Sequence, residues 1–151
     1  MKEVQLDTGI MVERSRYESS FSLSLPSFST NSLVKAPLLV QFSKCSTFLA
    51  AVSSEYPNCV WVINLSSMCI AAVLHQANNI RSISWHDSRV ALTILTSRPG
   101  HIYLWEPSGC MCIPQPAISD PRSLYWLDSL ETLLIVGNSS FSLASPEWIS
   151  F

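Results

Sequence analysis

Three short groupings in this 151-residue chain carry side chains that could do chemistry. His86-Asp87-Ser88 holds the three residue types of a hydrolase triad. A triad needs its members to converge from separate elements, and sequence neighbours cannot point at one another in that way. No Gly-x-Ser-x-Gly elbow is present to expose a nucleophile, so the trio reads as a polar β-turn. Ser108-Gly109-Cys110 lacks the flanking signature of a cysteine protease, and a reactive thiol needs an electropositive setting. Cys110-Met111-Cys112 would place both sulfurs on one face of a strand, but a structural zinc site takes four ligands, usually from two paired clusters. No second pair exists, and His75, His86 and His101 lie 11 and 15 residues apart. Gly9, Gly100, Gly109 and Gly137 never cluster into a loop that could cradle phosphate. The expectation is no catalytic residue, no metal, no cofactor and no small-molecule substrate.

The remaining candidates are the five tryptophans, because exposed Trp and Tyr side chains often anchor protein partners. Trp85, Trp105 and Trp126 sit in apolar runs and read as core, with Trp85 and Trp126 filling the space between neighbouring sheets and Trp105 capping its strand. Trp61 alternates with Val60 and Val62 and so faces the other side of its strand, which makes it a candidate partner-binding anchor. Trp148, in the Ser-Pro-Glu-Trp-Ile tail, is the second such candidate.

These residues sit inside a repeat. Phe42, Trp85 and Trp126 each end a short alternating run and are spaced 43 and 41 residues apart. A second apolar run follows each aromatic, at Phe48 to Val52, Val90 to Ile94 and Thr132 to Val136. A third follows at Val60 to Ile63, Ile102 to Trp105 and, weakly, Phe141 to Leu143. Met68 to Leu74 and Cys110 to Ile113 then read as outer strands. Helical periodicity is absent, and β-branched and aromatic residues dominate the runs. Self-similarity at about 40–45 residues with several short strands per unit is the signature of a WD-type β-propeller blade. A closed propeller needs about four to eight blades, and this chain supplies fewer than three full ones. The fold class expected is therefore all-β, a WD40-like partial propeller of two to three blades, read as a piece of a larger ring, a truncated isoform or a partner that completes another chain's ring. The blades fall at about residues 38–80, 81–117 and, incomplete, 118–151. Residues 1–34 read as a mixed, charged and then serine-rich linker, although Phe21, Leu23 and Leu25 alternate with serines and leave an edge strand open as the alternative.

Composition narrows the function classes. The chain is 48% hydrophobic and 13% charged, with a net charge of −2. Nine scattered basic residues make no field for nucleic acid or an anionic membrane. Five cysteines in no regular framework, no signal-peptide pattern and no 18-residue apolar window read as a cytoplasmic protein with reduced thiols.

At Val60-Trp61-Val62-Ile63-Asn64 and Ile102-Tyr103-Leu104-Trp105-Glu106 the chain resembles the WD-repeat family. Trp105-Glu106 stands close to the Trp-Asp that ends a WD strand, and Leu74-His75 sits where a Gly-His pair would open the second blade. Pro57 and Pro99 occupy positions where many WD blades carry a turn aspartate, so the His-Asp network of regular blades is expected to be mostly missing. The ordered segments Pro57 to Val62, Ala72 to Gln76 and Leu104 to Cys110 are similar to the C-terminal blades of the centrosomal members of that family. The resemblance implies a non-enzymatic scaffold at centrosome, spindle pole or ciliary base, in microtubule anchoring and spindle or cilium assembly, with a spindle-anchoring protein as partner. The alternative from the residues themselves is a small closed β-domain that binds a peptide by strand addition, as one unit without separable blades. A partial ring also predicts open strand edges and uncovered apolar faces, hence low solubility or dependence on a partner.

Overall fold

The computed structural model describes residues 2–6, 10–14, 38–98, 101–116, 118–127 and 132–144. Thirteen strands and no helix lie among them. The strands β3 (Leu39–Phe42), β4 (Phe48–Val52), β5 (Cys59–Asn64) and β6 (Cys69–His75) form one antiparallel meander. A second meander contains β7 (Ile80–Trp85), β8 (Leu92–Thr96), β9 (His101–Glu106) and β10 (Gly109–Pro114). The third has β11 (Ser123–Leu127), β12 (Thr132–Val136) and β13 (Phe141–Ala144). Two four-stranded sheets and a three-stranded one, each paired in sequence order, are the blades of a partial propeller. Separate sheets of this kind exclude the single closed β-domain.

The second strand of the middle sheet starts two residues later than its apolar run suggests. His86 N–H donates to Ala91 C=O at 2.8 Å and Ala91 N–H to Arg89 C=O at 2.9 Å, so Val90 is held in the connecting loop. The N-terminal residues differ more from the linker expected of them. β1 (Lys2–Leu6) and β2 (Ile10–Arg14) pair antiparallel, from Lys2 opposite Arg14 to Leu6 opposite Ile10, and β2 lies beside β6. Val4 and Leu6 alternate with polar residues, as do Ile10 and Val12, around an Asp-Thr-Gly connection, which is a three-residue hairpin pattern. The serine-rich tract at 15–32 lies outside the described residues.

Successive side chains on a strand alternate between faces, so each blade has a front face toward the earlier sheet and a back face toward the later one. The back face of the first blade (Ala50, Val52, Val60, Val62, Ala72, Leu74) packs on the front face of the second (Ile83, Trp85, Leu92, Ile94, Tyr103, Trp105). The back face of the second (Leu95, Ile102, Leu104, Ile113) packs on the front face of the third (Leu124, Trp126, Leu133, Ile135, Ala144). Two separate interblade cores result, and the middle blade is buried on both sides. That is why every residue of β8 is buried. Thr93, one of its two threonines and fully buried, donates its hydroxyl to Ser84 C=O at 2.8 Å, as a buried hydroxyl must to avoid an unmade hydrogen bond.

Candidate interaction surface

The inner strands β3, β7 and β11 bring the three repeat aromatics to equivalent places in successive blades, each on its front face. Their environments nevertheless differ. Trp85 is buried between the first two blades. Its ring stacks on Phe48 with centroids 6.2 Å apart and meets Trp105 edge-on at 6.1 Å. Its indole N–H donates to Gln41 C=O at 3.1 Å, a bond that crosses from blade to blade. Phe48 and Trp105 close the triangle at 6.0 Å. Trp105 is thus part of the interblade core and not merely a cap on its own strand. Trp126 lies between the second and third blades with His86 against its ring at 4.3 Å. Phe42, the first of the series, meets no earlier blade among the described residues and is 63% exposed.

A cleft of about 320 Å³ opens at this end of the inner strands, lined by Gln41, Phe42, Lys44, Asp87, Tyr125 and Trp126 among others. Tyr125 points to the opposite face of β11 from Trp126 and is 53% exposed. Across the cleft Lys44 Nζ pairs with Asp87 Oδ1 at 3.0 Å, joining the first and second blades. A smaller cleft of about 200 Å³ lies beside the turn between β9 and β10, lined by Leu104, Glu106, Ser108 and Met111 among others. The void between Leu74, Ile94 and Trp105 holds only about 10 Å³, too little for a ligand.

The groupings that suggested chemistry are tied up in structure. Ser88 N–H donates to His86 Nδ1 at 3.1 Å, so His86 closes its own turn through an unprotonated Nδ1, while the Asp87 carboxylate is held by Lys44. No acid-base-nucleophile line forms. Cys110 and Cys112 do share a face and pack against the first interblade core, and burial pushes the Cys112 thiol up. Among the described residues no group of three or more His, Cys, Asp or Glu could hold a metal ion. The Cys45 thiol, bonded to Ser43 Oγ at 3.3 Å, is held below the usual thiol range chiefly by that bond and then by Thr47. No helix among the described residues is long and apolar enough to cross a membrane.

Of the two predicted anchors, Trp61 is half-buried on the front face of the first blade, opposite Ala51 and Val73. It stands 42 residues before Tyr103, which does the same job one blade later and is buried by its neighbour. Trp148 lies outside the described residues. Sequence reasoning passed over Phe42 and Tyr125 as exposed aromatics. The signals were there: Phe42 opens the repeat series, and Tyr125 alternates with Trp126.

The polar links differ from those of regular blades. His75, expected to open the second blade, ends β6 and meets Asn58 Nδ2 at 3.0 Å in the turn of the first blade. Asn58 also donates to Gln76 C=O at 3.1 Å. Trp105 Nε1 is buried without an acceptor, as is Trp126 Nε1. The second and third blades are tied by Asp120, which accepts from Arg81, from Arg122 at 3.2 Å and from Asn138 at 3.0 Å. Gly137 lets this loop close: a Cβ there would lie 2.7 Å from Ser119 C=O. The Arg81 hydrogen bond first, and that from Arg122 next, hold the Asp120 carboxyl below its ordinary range. Because the folded value is depressed, the stabilisation is present above the unfolded value and is lost as pH falls through the folded one. Melting temperature should therefore fall as pH drops below about 4, and Asp120→Asn should shrink that fall. Parallel curves for the two proteins would refute a role for this carboxylate.

No protein-family profile matches the chain. It is 30% identical over 111 residues to the mouse (Mus musculus) WD repeat-containing protein WRAP73, a match covering 72% of this chain and 24% of that protein. An uncharacterized WD repeat-containing protein of Schizosaccharomyces pombe is 30% identical over 59 residues, covering 39% of this chain and 12% of that one. The chain thus spans about a quarter of the length of the mouse relative. Among solved structures, the β-propeller domain of Myceliophteria thermophila Cps50 (Swd1) superposes with a TM-score of 0.55 at 18% identity, covering 74% of this chain and 36% of that domain. A chain of the mitotic checkpoint complex gives 0.57 at 12% identity, over 72% of this chain and 35% of that one. Dihydro-heme d1 dehydrogenase NirN gives 0.56 at 16% identity, over 70% and 24%. These three likenesses speak for the fold alone. With tandem antiparallel blades, a repeat carried by Phe42, Trp85 and Trp126, and sequence relatives that are WD-repeat proteins, the chain belongs to the WD-repeat family of β-propeller proteins.

Proposed function

We propose that this chain is a non-enzymatic protein-interaction scaffold, and that its blades help recruit it to the centrosome, spindle pole or ciliary base in microtubule anchoring. The observation that carries the scaffold reading is the open cleft at the inner strand ends. There, exposed Phe42 and Tyr125 flank the Lys44–Asp87 pair, and no converging acid, base and nucleophile accompanies them. Exposed aromatics beside a fixed ion pair offer a partner apolar area and orientation together. The cellular assignment is supported by the ordered segments Pro57 to Val62, Ala72 to Gln76 and Leu104 to Cys110 and by the similarity to WRAP73. The implied partner is a spindle-anchoring protein.

Proximity labelling and microscopy of the tagged chain in dividing cells test this reading. Enrichment at spindle poles, with a spindle-anchoring protein among the labelled neighbours, is expected. Tyr125→Ala, which removes an exposed ring and leaves both interblade cores intact, should weaken that labelling. Diffuse or aggregated signal with chaperones as the main neighbours would overturn it.

A further inference from the structure

The void between the first two blades is small but not apolar throughout. Leu74, Ile94, Tyr103 and Trp105 line it from the first interblade core, and Gln76, next after β6, lines it with them. Two polar atoms of these residues are buried and have no hydrogen-bond partner: Gln76 Oε1 and Trp105 Nε1. Each residue is only 2% exposed. A buried amide oxygen and a buried indole N–H are rarely left in that condition, since each has given up the water it bound in the unfolded chain. The void is formed by residues of both blades and does not involve the outer faces of the arc.

Neither group can swing away to find a partner elsewhere. Asn58 holds both backbone groups of Gln76: Gln76 N–H donates to Asn58 C=O at 2.8 Å, and Asn58 Nδ2 donates to Gln76 C=O at 3.1 Å. The Trp105 ring is set against Phe48 at 6.0 Å and Trp85 at 6.1 Å, and cannot turn without breaking that cluster. One orphaned atom is an acceptor and the other a donor. The void they share is about 10 Å³, the room one water molecule needs, and a buried water takes two to four polar partners. Water accepts an indole N–H through its oxygen and gives a proton to an amide oxygen, so one molecule satisfies both. An indole N–H repels a cation, a lone amide oxygen repels an anion, and nothing larger fits.

We propose that the first interblade junction binds a single buried water, which accepts from Trp105 Nε1 and donates to Gln76 Oε1. Leaving both groups unmade costs more than ordering one water. The bridge ties the segment that leaves the first blade to the third strand of the second. It adds to the Trp85 N–H bond to Gln41 C=O and the Lys44–Asp87 pair, which cross the same junction. Apolar contacts between sheets are non-directional. A donor and an acceptor joined through one water fix the setting of the two blades.

NMR of the tryptophan indole N–H groups in the purified full chain reads the site, with Trp105→Phe assigning the resonance. Trp105 Hε1 should show a cross-peak to water of opposite sign in NOE and ROE spectra, which marks a long-lived bound molecule and separates it from proton exchange. Gln76→Leu removes the acceptor at similar volume and should abolish that cross-peak. In a double-mutant cycle, the loss of folding equilibrium constant for Gln76→Leu with Trp105→Phe should fall short of the product of the single losses by at least about threefold. High-resolution diffraction from the parent chain reads the same site without any variant. One density peak within hydrogen-bond reach of both atoms is expected. A dry void, a direct hydrogen bond between the two side chains, a water cross-peak that survives Gln76→Leu, or losses that simply multiply would overturn the bridge.

Discussion

Trp85→Ala is expected to cost about 3–5 kcal/mol of folding stability, the upper range for removal of a buried aromatic. The size follows from how many contacts converge on one ring. Trp85 stacks on Phe48 from the first blade, meets Trp105 edge-on within its own blade, and donates its N–H across the junction to Gln41 C=O. Aromatic pairs in such geometries contribute beyond the area they bury. Its loss opens a cavity between two sheets whose backbones are fixed by their own ladders and cannot collapse into it. Since a whole domain is stable by only about 5–15 kcal/mol, most of the native population is at risk. Trp85→Phe keeps the stacking but drops the hydrogen bond and part of the volume, and should cost about 1–2 kcal/mol. Denaturant melts of the three proteins check the order. A Trp85→Ala protein within about 1 kcal/mol of the parent would mean the first junction is not a tight core.

Leu95→Asp should abolish cooperative folding. Leu95 is fully buried on the back face of the middle blade, opposite Ile102 and in the core shared with Leu124 and Leu133. No cation lies in that cluster to pair with a carboxylate, and the desolvation cost of an unpaired charge in an apolar core exceeds what a domain of this size can absorb. The same new charge on the surface is the control. Met68 is 78% exposed and sits in a turn with φ of 53°, a left-handed conformation that Asp tolerates better than Met. Met68→Asp should change stability by no more than about 0.5 kcal/mol. A soluble Leu95→Asp protein with a sharp thermal transition would show that the second interblade core is not formed.

The two predictions address different junctions, and that division explains a feature of the composition. A middle blade covered on both faces has little use for alternating polarity. The charged fraction of 13% is low because sheets stacked face to face leave only edges, turns and end faces to solvent. Five of the charged side chains are used at joints: Lys44 with Asp87 between the first two blades, and Arg81 and Arg122 with Asp120 between the second and third. Exposed pairs of this kind contribute little energy each, and their value is in fixing how one sheet is set against the next.

What the sequence determined by itself was the local order. Period-two alternation, the spacing of Phe42, Trp85 and Trp126, and turn residues such as Pro57-Asn58 and Pro107-Ser108 specify strands, hairpins and the repeat, because each depends on residues close together in the chain. The core reading of Trp85, Trp105 and Trp126 follows from the same pattern. The exclusion of a triad at His86-Asp87-Ser88 was also legible, since adjacent residues cannot converge. Only the tertiary structure decided which face of each strand meets another sheet. Phe42 and Trp85 are equivalent in the repeat, yet one is exposed and the other buried, because burial on a blade face is set by whether a neighbouring blade is there. For the same reason Trp61 and Tyr103 diverge, and Trp105 belongs to a three-ring cluster built from two blades. The pairing of His75 with Asn58, and the closing of Asp120 on Arg81, join residues 17 and 39 positions apart. Local sequence sets which strands form, whereas the contacts between sheets depend on distances that only the stacked arc of blades creates.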